Sequence, residues 1–282
     1  MRWKCWGLLG LMTLFHGTAL AEPVTLTLSN QLVARAEYRQ GERDKPAVIL
    51  MHGFLQTHAF PTVSRLIESL AGEGYTVLAP NLTLGITHRS QSVACEAINH
   101  HTVADGVAEL RQWVQWLKAR HGARIVLGGH SLGNIYNLHY VLSQGSPQPV
   151  KLIGISIMEG SLKAGEPARA GLVSKLRARA RADSRAVMEE QFSFCQKFRS
   201  TSGSLLSYME WGPHRILDAI NRASVPVTMI MGSQDDRLGR DWLDRLKKTR
   251  ARVVIIQGAN HFMDGEHEFD LMDRFLEELK GV

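Results

Sequence analysis

Ile125-Val126-Leu127 is a short, β-branched, apolar run of the kind that forms a buried strand, and it stops in glycines. Gly129-His130-Ser131-Leu132-Gly133 follows, a serine set between two glycines in the pattern G-x-S-x-G. Beyond it Leu132, Ile135, Leu138 and Val141 recur at helical spacing, so a helix begins at once. Strand, sharp turn and helix joined this closely leave few choices for the fold. The turn forces Ser131 into a strained backbone conformation that small neighbours at 129 and 133 make sterically possible. Its Oγ would then project at the carboxyl end of the strand, beside a helix N-terminus whose free amides favour negative charge.

Strands and helices alternate along most of the remaining chain, which places it in the α/β class. Val24 to Leu28 and Val33 to Tyr38 read as two antiparallel edge strands. Pro46 to Met51 is continuously apolar, as a central strand must be, and ends in His52-Gly53-Phe54. A helix over 61–72, with Val63, Leu66, Ile67 and Leu70 on one face, leads to a strand over 75–79 closed by Pro80. Residues 81–101 form a long connection carrying His88, Arg89, Cys95, His100 and His101; such loops are uncommon unless functional, and this one is expected to shape the mouth of a pocket. Over 102–120 an amphipathic helix is expected. Thr102 is its cap, Asp105 stands at the third position, and Val103, Val107, Leu110, Val114 and Leu117 form the buried stripe, with Trp113 and Trp116 packing beside it.

Three further strands follow. Val150 to Met158 ends in Glu159-Gly160, Val225 to Met231 turns out through Gly232-Ser233-Gln234-Asp235-Asp236, and Val253 to Ile256 leads into Gly258-Ala259-Asn260-His261-Phe262. A last helix, from about 266 to 280, should turn Phe269, Met272, Leu276 and Leu279 inward. Between the first two of these strands, residues 161–222 show no strand pattern and are rich in Arg, Ala and Ser. Phe192, Phe194, Leu205, Leu206, Tyr208, Met209 and Trp211 either line an acyl pocket from above or pack this segment on the core. The bases Arg169, Lys175, Arg177, Arg179, Arg181 and Arg185 are either a solvated surface or a guide for an anionic substrate or a membrane surface.

Ser131, His261 and Asp235 make chemical sense as a set. A serine hydroxyl is a poor nucleophile until a base takes its proton; imidazole, which titrates near neutrality, does so and then passes the proton to the leaving group. A carboxylate fixes the tautomer and steadies the imidazolium. Asp236 and Glu159 are rivals for the acid.

Taken in order, these motifs resemble the α/β-hydrolase superfamily: a His-Gly pair after a central strand, G-x-S-x-G at the strand-to-helix turn, a loop acid three residues past a glycine, then a loop histidine after the last strand. The resemblance spans roughly 45–282 outside the inserted segment. It implies a mostly parallel sheet flanked by helices, a core of 22–160 and 223–282, and a helical cap or lid over 161–222. It also implies Ser131 as nucleophile, His261 as base, Asp235 as orienting acid, and the amides of Phe54 and Leu132 as the oxyanion hole. His52 itself reads as a structural histidine. The chemistry implied is hydrolysis of a carboxylic ester through an acyl-serine, with lipid ester or thioester next and no cofactor. The alternatives are a membrane-surface lipase or thioesterase whose basic cap docks on anionic membrane, and a non-catalytic exported binding protein on the same fold.

The net charge of +6 falls to +4 without Arg2 and Lys4, too mild a balance to argue for nucleic acid. No metal-ligand spacing is apparent, and His100-His101 has no second pair to complete one. Residues 1–21 read as a secretory signal: Arg2 and Lys4, then Trp6 through Phe15, then Ala19-Leu20-Ala21 as the cleavage pattern, with an uncleaved anchor as the alternative. Export to a secreted or periplasmic location would leave Cys95 and Cys195, an even count that invites one disulfide, the alternative being two buried thiols.

Overall fold

The structure, a computed structural model, describes residues 22–122, 124–158 and 165–282, and the side chains of all of these except 165–167. The expected signal segment therefore lies outside the described residues.

Strand β1 (Glu22–Thr27) is the edge and pairs antiparallel with β2 (Val33–Arg39); β2, expected at the edge, is instead paired on both sides, because it also runs antiparallel to β4 (Thr76–Asn81). From β4 onward the sheet is parallel, through β3 (Ala47–Met51), β5 (Ile125–His130), β6 (Lys151–Ile155), β9 (Val227–Gly232) and β10 (Arg252–Ile256). Among the described residues the strand order is β1-β2-β4-β3-β5-β6-β9-β10. The central strands are apolar throughout because helices cover both faces. Alternation along each strand divides the core in two. Val48, Leu50, Val77, Ala79 and Val126 face α1 (Pro61–Gly72) and α8 (Glu268–Leu279), whereas Ile49, Met51, Leu78 and Leu127 face the side of α2 (Val103–His121) and α3 (Gly133–Leu142).

Helix α2 starts where its sequence requires. Thr102 Oγ1 accepts from the Asp105 N–H at 3.1 Å, and Asp105 Oδ2 accepts from the Thr102 N–H at 2.8 Å, a capping box worth about 1 kcal/mol. Trp113 is fully buried, and Trp116 packs edge-on against it and Tyr38. One helical expectation is corrected. Phe269 is 68 % exposed, because the buried stripe of α8 runs through Leu271, Phe275 and Leu279, and Phe269 lies roughly 160° round the axis from Leu271. A short 3-10 turn, Gly265–His267, precedes this helix.

The inserted segment differs from the helical expectation. It holds α4 (Gly165–Ala182), a hairpin of β7 (Val187–Phe192) and β8 (Cys195–Thr201), then α5 (Ser202–Met209) and α6 (Pro213–Arg222). Residues 187–191 are Val-Met-Glu-Glu-Gln, and the hairpin turns at Ser193-Phe194 with Ser193 at φ 55° and no glycine or asparagine. Neither composition nor turn chemistry announces a strand pair there. The long connection joins this hairpin at a single bridge. Asn99 bridges to Ser200, the Asn99 N–H donates to the Arg199 carbonyl at 3.0 Å, and a disulfide links Cys95 to Cys195. Within α4, Lys175 pairs with Glu190 and Arg177 with Glu210, so part of the basic charge is answered locally. Helix α7 (Trp242–Lys247) anchors the segment between β9 and β10 through Trp242, whose Nε1–H donates to the Ile157 carbonyl at 2.8 Å. Among the described residues no helix is long and apolar enough to cross a membrane.

Candidate active site

Strand β5 delivers Ser131 at φ 54°, a left-handed conformation that costs a residue other than glycine on the order of 1 kcal/mol. Packing holds it there. The Ser131 N–H donates to the Ile155 carbonyl at 2.9 Å, and the flanking glycines let neighbouring backbone come close. A Cβ at Gly133 would meet the Met51 and His52 carbonyl oxygens at 2.6 and 2.7 Å, and one at Gly129 would stand 3.0 Å from the Gly133 carbonyl carbon. Gly133 is thus required where the turn crosses the end of β3, and Gly129 where α3 packs back on the turn.

Two loops bring the partners. Gly232 ends β9, and a Cβ there would lie 2.3 Å from the Ala259 carbonyl oxygen, so only glycine lets the acid loop and the histidine loop run side by side. They are stitched by the Ser233 N–H to the Ile256 carbonyl (3.0 Å), the Gln234 N–H to the Ala259 carbonyl (2.9 Å) and the Gly258 N–H to Ser233 Oγ (2.8 Å). Asp235 Oδ2 stands 2.7 Å from His261 Nδ1, and its Oδ1 accepts from the Arg237 N–H at 3.0 Å. His261 Nε2 stands 3.0 Å from Ser131 Oγ. A carboxylate can only accept, so Nδ1 carries the proton and Nε2 is left to accept from the serine hydroxyl. All three side chains are buried.

Of the rival acids, Asp236 is exposed and makes no contact with His261, and Glu159 lies outside the described residues. The expected oxyanion donors sit on the two backbone turns that meet at Ser131. Among the described residues neither the Phe54 nor the Leu132 N–H has an acceptor, which leaves one uncommitted amide on each of the turns after β3 and β5. The Phe54 ring points toward the insertion, 5.0 Å from Phe192, 5.1 Å from Phe198 and 5.9 Å from Phe194 between centroids. Phe192, Phe198, Leu205, Tyr208, Met209 and Trp211 are buried and form the underside of the insertion; Phe194, at the hairpin tip, is exposed.

His52 takes no part in this relay. Its Nδ1–H donates to the Gly53 carbonyl at 2.8 Å, and its Nε2 accepts from the Leu82 N–H at 3.1 Å and from Arg89 Nη2 at 3.0 Å. Burial, with the Arg89 charge beside it, pushes its pKa down to about 3, so the ring is neutral. Sequence reasoning did not anticipate the buried Arg89, whose guanidinium also donates to the Leu82, Gln91 and Gln56 carbonyls and so holds the long connection against the His-Gly turn.

Three further neighbours of the site were also missed. His130, inside the motif itself, donates from Nε2 to the His261 carbonyl at 3.1 Å, and burial pushes its pKa down to about 3. Met158 places its sulfur 3.8 Å from Ser131 Oγ. Arg237 holds its guanidinium carbon 4.6 Å from the centre of the Phe262 ring. Only adjacency to a motif residue could have flagged His130 and Arg237. Among the described residues no group of three or more His, Cys, Asp or Glu side chains is placed to hold a metal ion.

Residues 48–273 match the Alpha/beta hydrolase family. No curated protein matches the sequence. Solved structures with the same fold include a monoacylglycerol lipase of Paleococcus ferrophilus, 17% identical, with a TM-score of 0.66 over 86% of this chain and 97% of that one. The alpha/beta hydrolase GrgF from Penicillium sp. sh18 is 18% identical, with a TM-score of 0.69 over 93% and 98%. An esterase of Pyrococcus furiosus is 18% identical, with a TM-score of 0.60 over 97% and 95%.

Proposed function

The chain belongs to the alpha/beta hydrolase family, and we propose that it is an exported serine hydrolase cleaving a carboxylic ester through an acyl-serine intermediate. The observation that carries this reading is the unbroken relay from Asp235 through His261 to Ser131, at 2.7 and 3.0 Å, with the Phe54 and Leu132 amides uncommitted. In the first half-reaction Ser131 Oγ attacks the ester carbonyl carbon while His261 Nε2 takes its proton. The carbonyl oxygen becomes an oxyanion and accepts from the Phe54 and Leu132 N–H groups; one such donor is worth about 2.7–4 kcal/mol of transition-state stabilisation. His261 then gives the proton to the departing alkoxide, and the alcohol leaves. In the second half-reaction water loses a proton to His261, attacks the acyl-serine, and releases the acid as Ser131 recovers its proton. Asp235 keeps the imidazole in the tautomer that both halves need.

Ester rather than amide is supported by the esterase and lipase among the structural neighbours. Export is supported by the sequence of residues 1–21, and a Cys95–Cys195 disulfide suits an oxidising compartment. Hydrolysis of p-nitrophenyl esters of graded chain length tests the reading. Turnover by the wild type and its loss in Ser131→Ala are expected, whereas inactivity across the series, or equal rates for both proteins, would overturn it.

A further inference from the structure

The residue after the base and the residue two past the acid meet beside the relay. The Phe262 ring lies 5.3 Å from the His261 ring, nearly perpendicular to it, and the Arg237 guanidinium stands over Phe262. Loop geometry brings it there. The Arg237 N–H donates to Asp235 Oδ1, and the Leu238 N–H donates to the Asp235 carbonyl at 3.3 Å, a turn that bends the chain back toward the histidine loop. Among the described residues no carboxylate pairs with the guanidinium, and none of its N–H donors has an acceptor. The acids nearest in sequence do not answer it: Asp235 is taken up by His261 and a backbone amide, and Asp236 and Asp241 are exposed and form no ion pair with it. Arg237 is itself half-buried. Its charge is felt inside the site, where it helps hold the His130 pKa down.

Chemistry says which part of a substrate reaches this place. His261 must deliver its proton to the departing oxygen, so the alcohol half of an ester lies against the imidazole and the residues that follow it. The acyl carbonyl is directed instead to the Phe54 and Leu132 amides. An alcohol leaving past the imidazole would thus run by the Phe262 side chain, whose ring is packed against Phe60, His130 and the guanidinium, and extend its far end to Arg237. A guanidinium resting on an aromatic face, with five donors in a planar fork and none committed, suits a carboxylate or a phosphate.

We propose that Arg237 and Phe262 form an anion-binding subsite on the leaving-group side, selecting esters whose alcohol carries a carboxylate or phosphate group. This rests on the esterase reading given above. Arg237 is a specificity-determining residue in this proposal and takes no proton in the reaction.

The test compares 4-acetoxybenzoate with its neutral methyl ester, methyl 4-acetoxybenzoate, as substrates for wild type, Arg237→Gln and Arg237→Lys. The wild-type preference for the anionic ester in kcat/KM should fall about tenfold in Arg237→Gln, chiefly through KM, with part restored in Arg237→Lys. Added salt should narrow the wild-type preference and leave that of Arg237→Gln unmoved. Loss of both activities in parallel, or an unchanged preference, would overturn the subsite. A parallel measurement needs no turnover: 4-hydroxybenzoate should bind Ser131→Ala by calorimetry and bind the doubly substituted Ser131→Ala, Arg237→Gln about tenfold more weakly. If neither ester is hydrolysed by the wild type, the esterase reading fails and this binding difference alone decides the subsite; equal binding rejects it.

Discussion

Acid should weaken this fold well above the pH at which its carboxylates titrate, and two buried histidines set the amount. His52 and His130 are 2 % and 1 % exposed, and burial pushes each pKa down to about 3. In the unfolded chain each returns to about 6.5. Above that value both states are neutral and the full stability is present. As pH falls below it the unfolded chain takes up two protons that the folded chain refuses, so stability declines until pH approaches 3. At about pH 5 the loss is roughly 2 kcal/mol per histidine and about 4 kcal/mol for the pair. That is a large share of the 5–15 kcal/mol typical of a folded domain. Glu37 and Glu278, whose pKa values are lowered by partners such as His58 and Lys151, add their loss only at lower pH. Urea denaturation with the disulfide intact, at about pH 7.5, 6.5 and 5, should show this decline, and His130→Gln should remove about half of the slope. Constant stability across that range, or a slope unaltered in both His130→Gln and His52→Gln, would refute the assignment of buried neutral rings.

Asp235→Asn should lower kcat by about 10⁴ by stabilising the wrong imidazole tautomer, while Asp236→Asn stays near wild type; steady-state kinetics on one ester compares them. Removing the Cys95–Cys195 link with Cys95→Ser and Cys195→Ser together releases a loop whose ends are 100 residues apart, and denaturation should show a loss of about 4–5 kcal/mol. Gly133→Ala would push a methyl group against the Met51 and His52 carbonyls, so it should cost about 1–3 kcal/mol in stability.

The sheet was legible because its central strands are buried on both faces and so read as unbroken apolar runs, Ala47–Met51 and Val227–Gly232 among them. The start of α2 was legible because Thr102 and Asp105 advertise a cap. Ser131, Asp235 and His261 could be picked out as partners because each follows a strand end marked by glycine, and His261 lies within hydrogen-bond reach of both other side chains. What escaped depends on long-range packing. The β7–β8 hairpin is held by a disulfide, by the bridge from Asn99 to Ser200 and by aromatic contacts with Phe54, none of which is local in sequence. Arg89 is buried through three carbonyls, those of Leu82, Gln91 and Gln56, and the His52 imidazole, gathered from separate places in one loop system. Phe269 was misplaced because, at the first turn of α8, spacing alone cannot say which edge of the stripe meets the sheet.

The claim on which the mechanism depends is that Ser131 Oγ is an activated nucleophile. A fluorophosphonate probe followed by peptide mass spectrometry measures this directly. One probe per chain on Ser131 is predicted, with labelling abolished in Ser131→Ala and strongly slowed in His261→Ala. An unlabelled wild-type protein, or a probe found on another residue while Ser131 stays free, would contradict it.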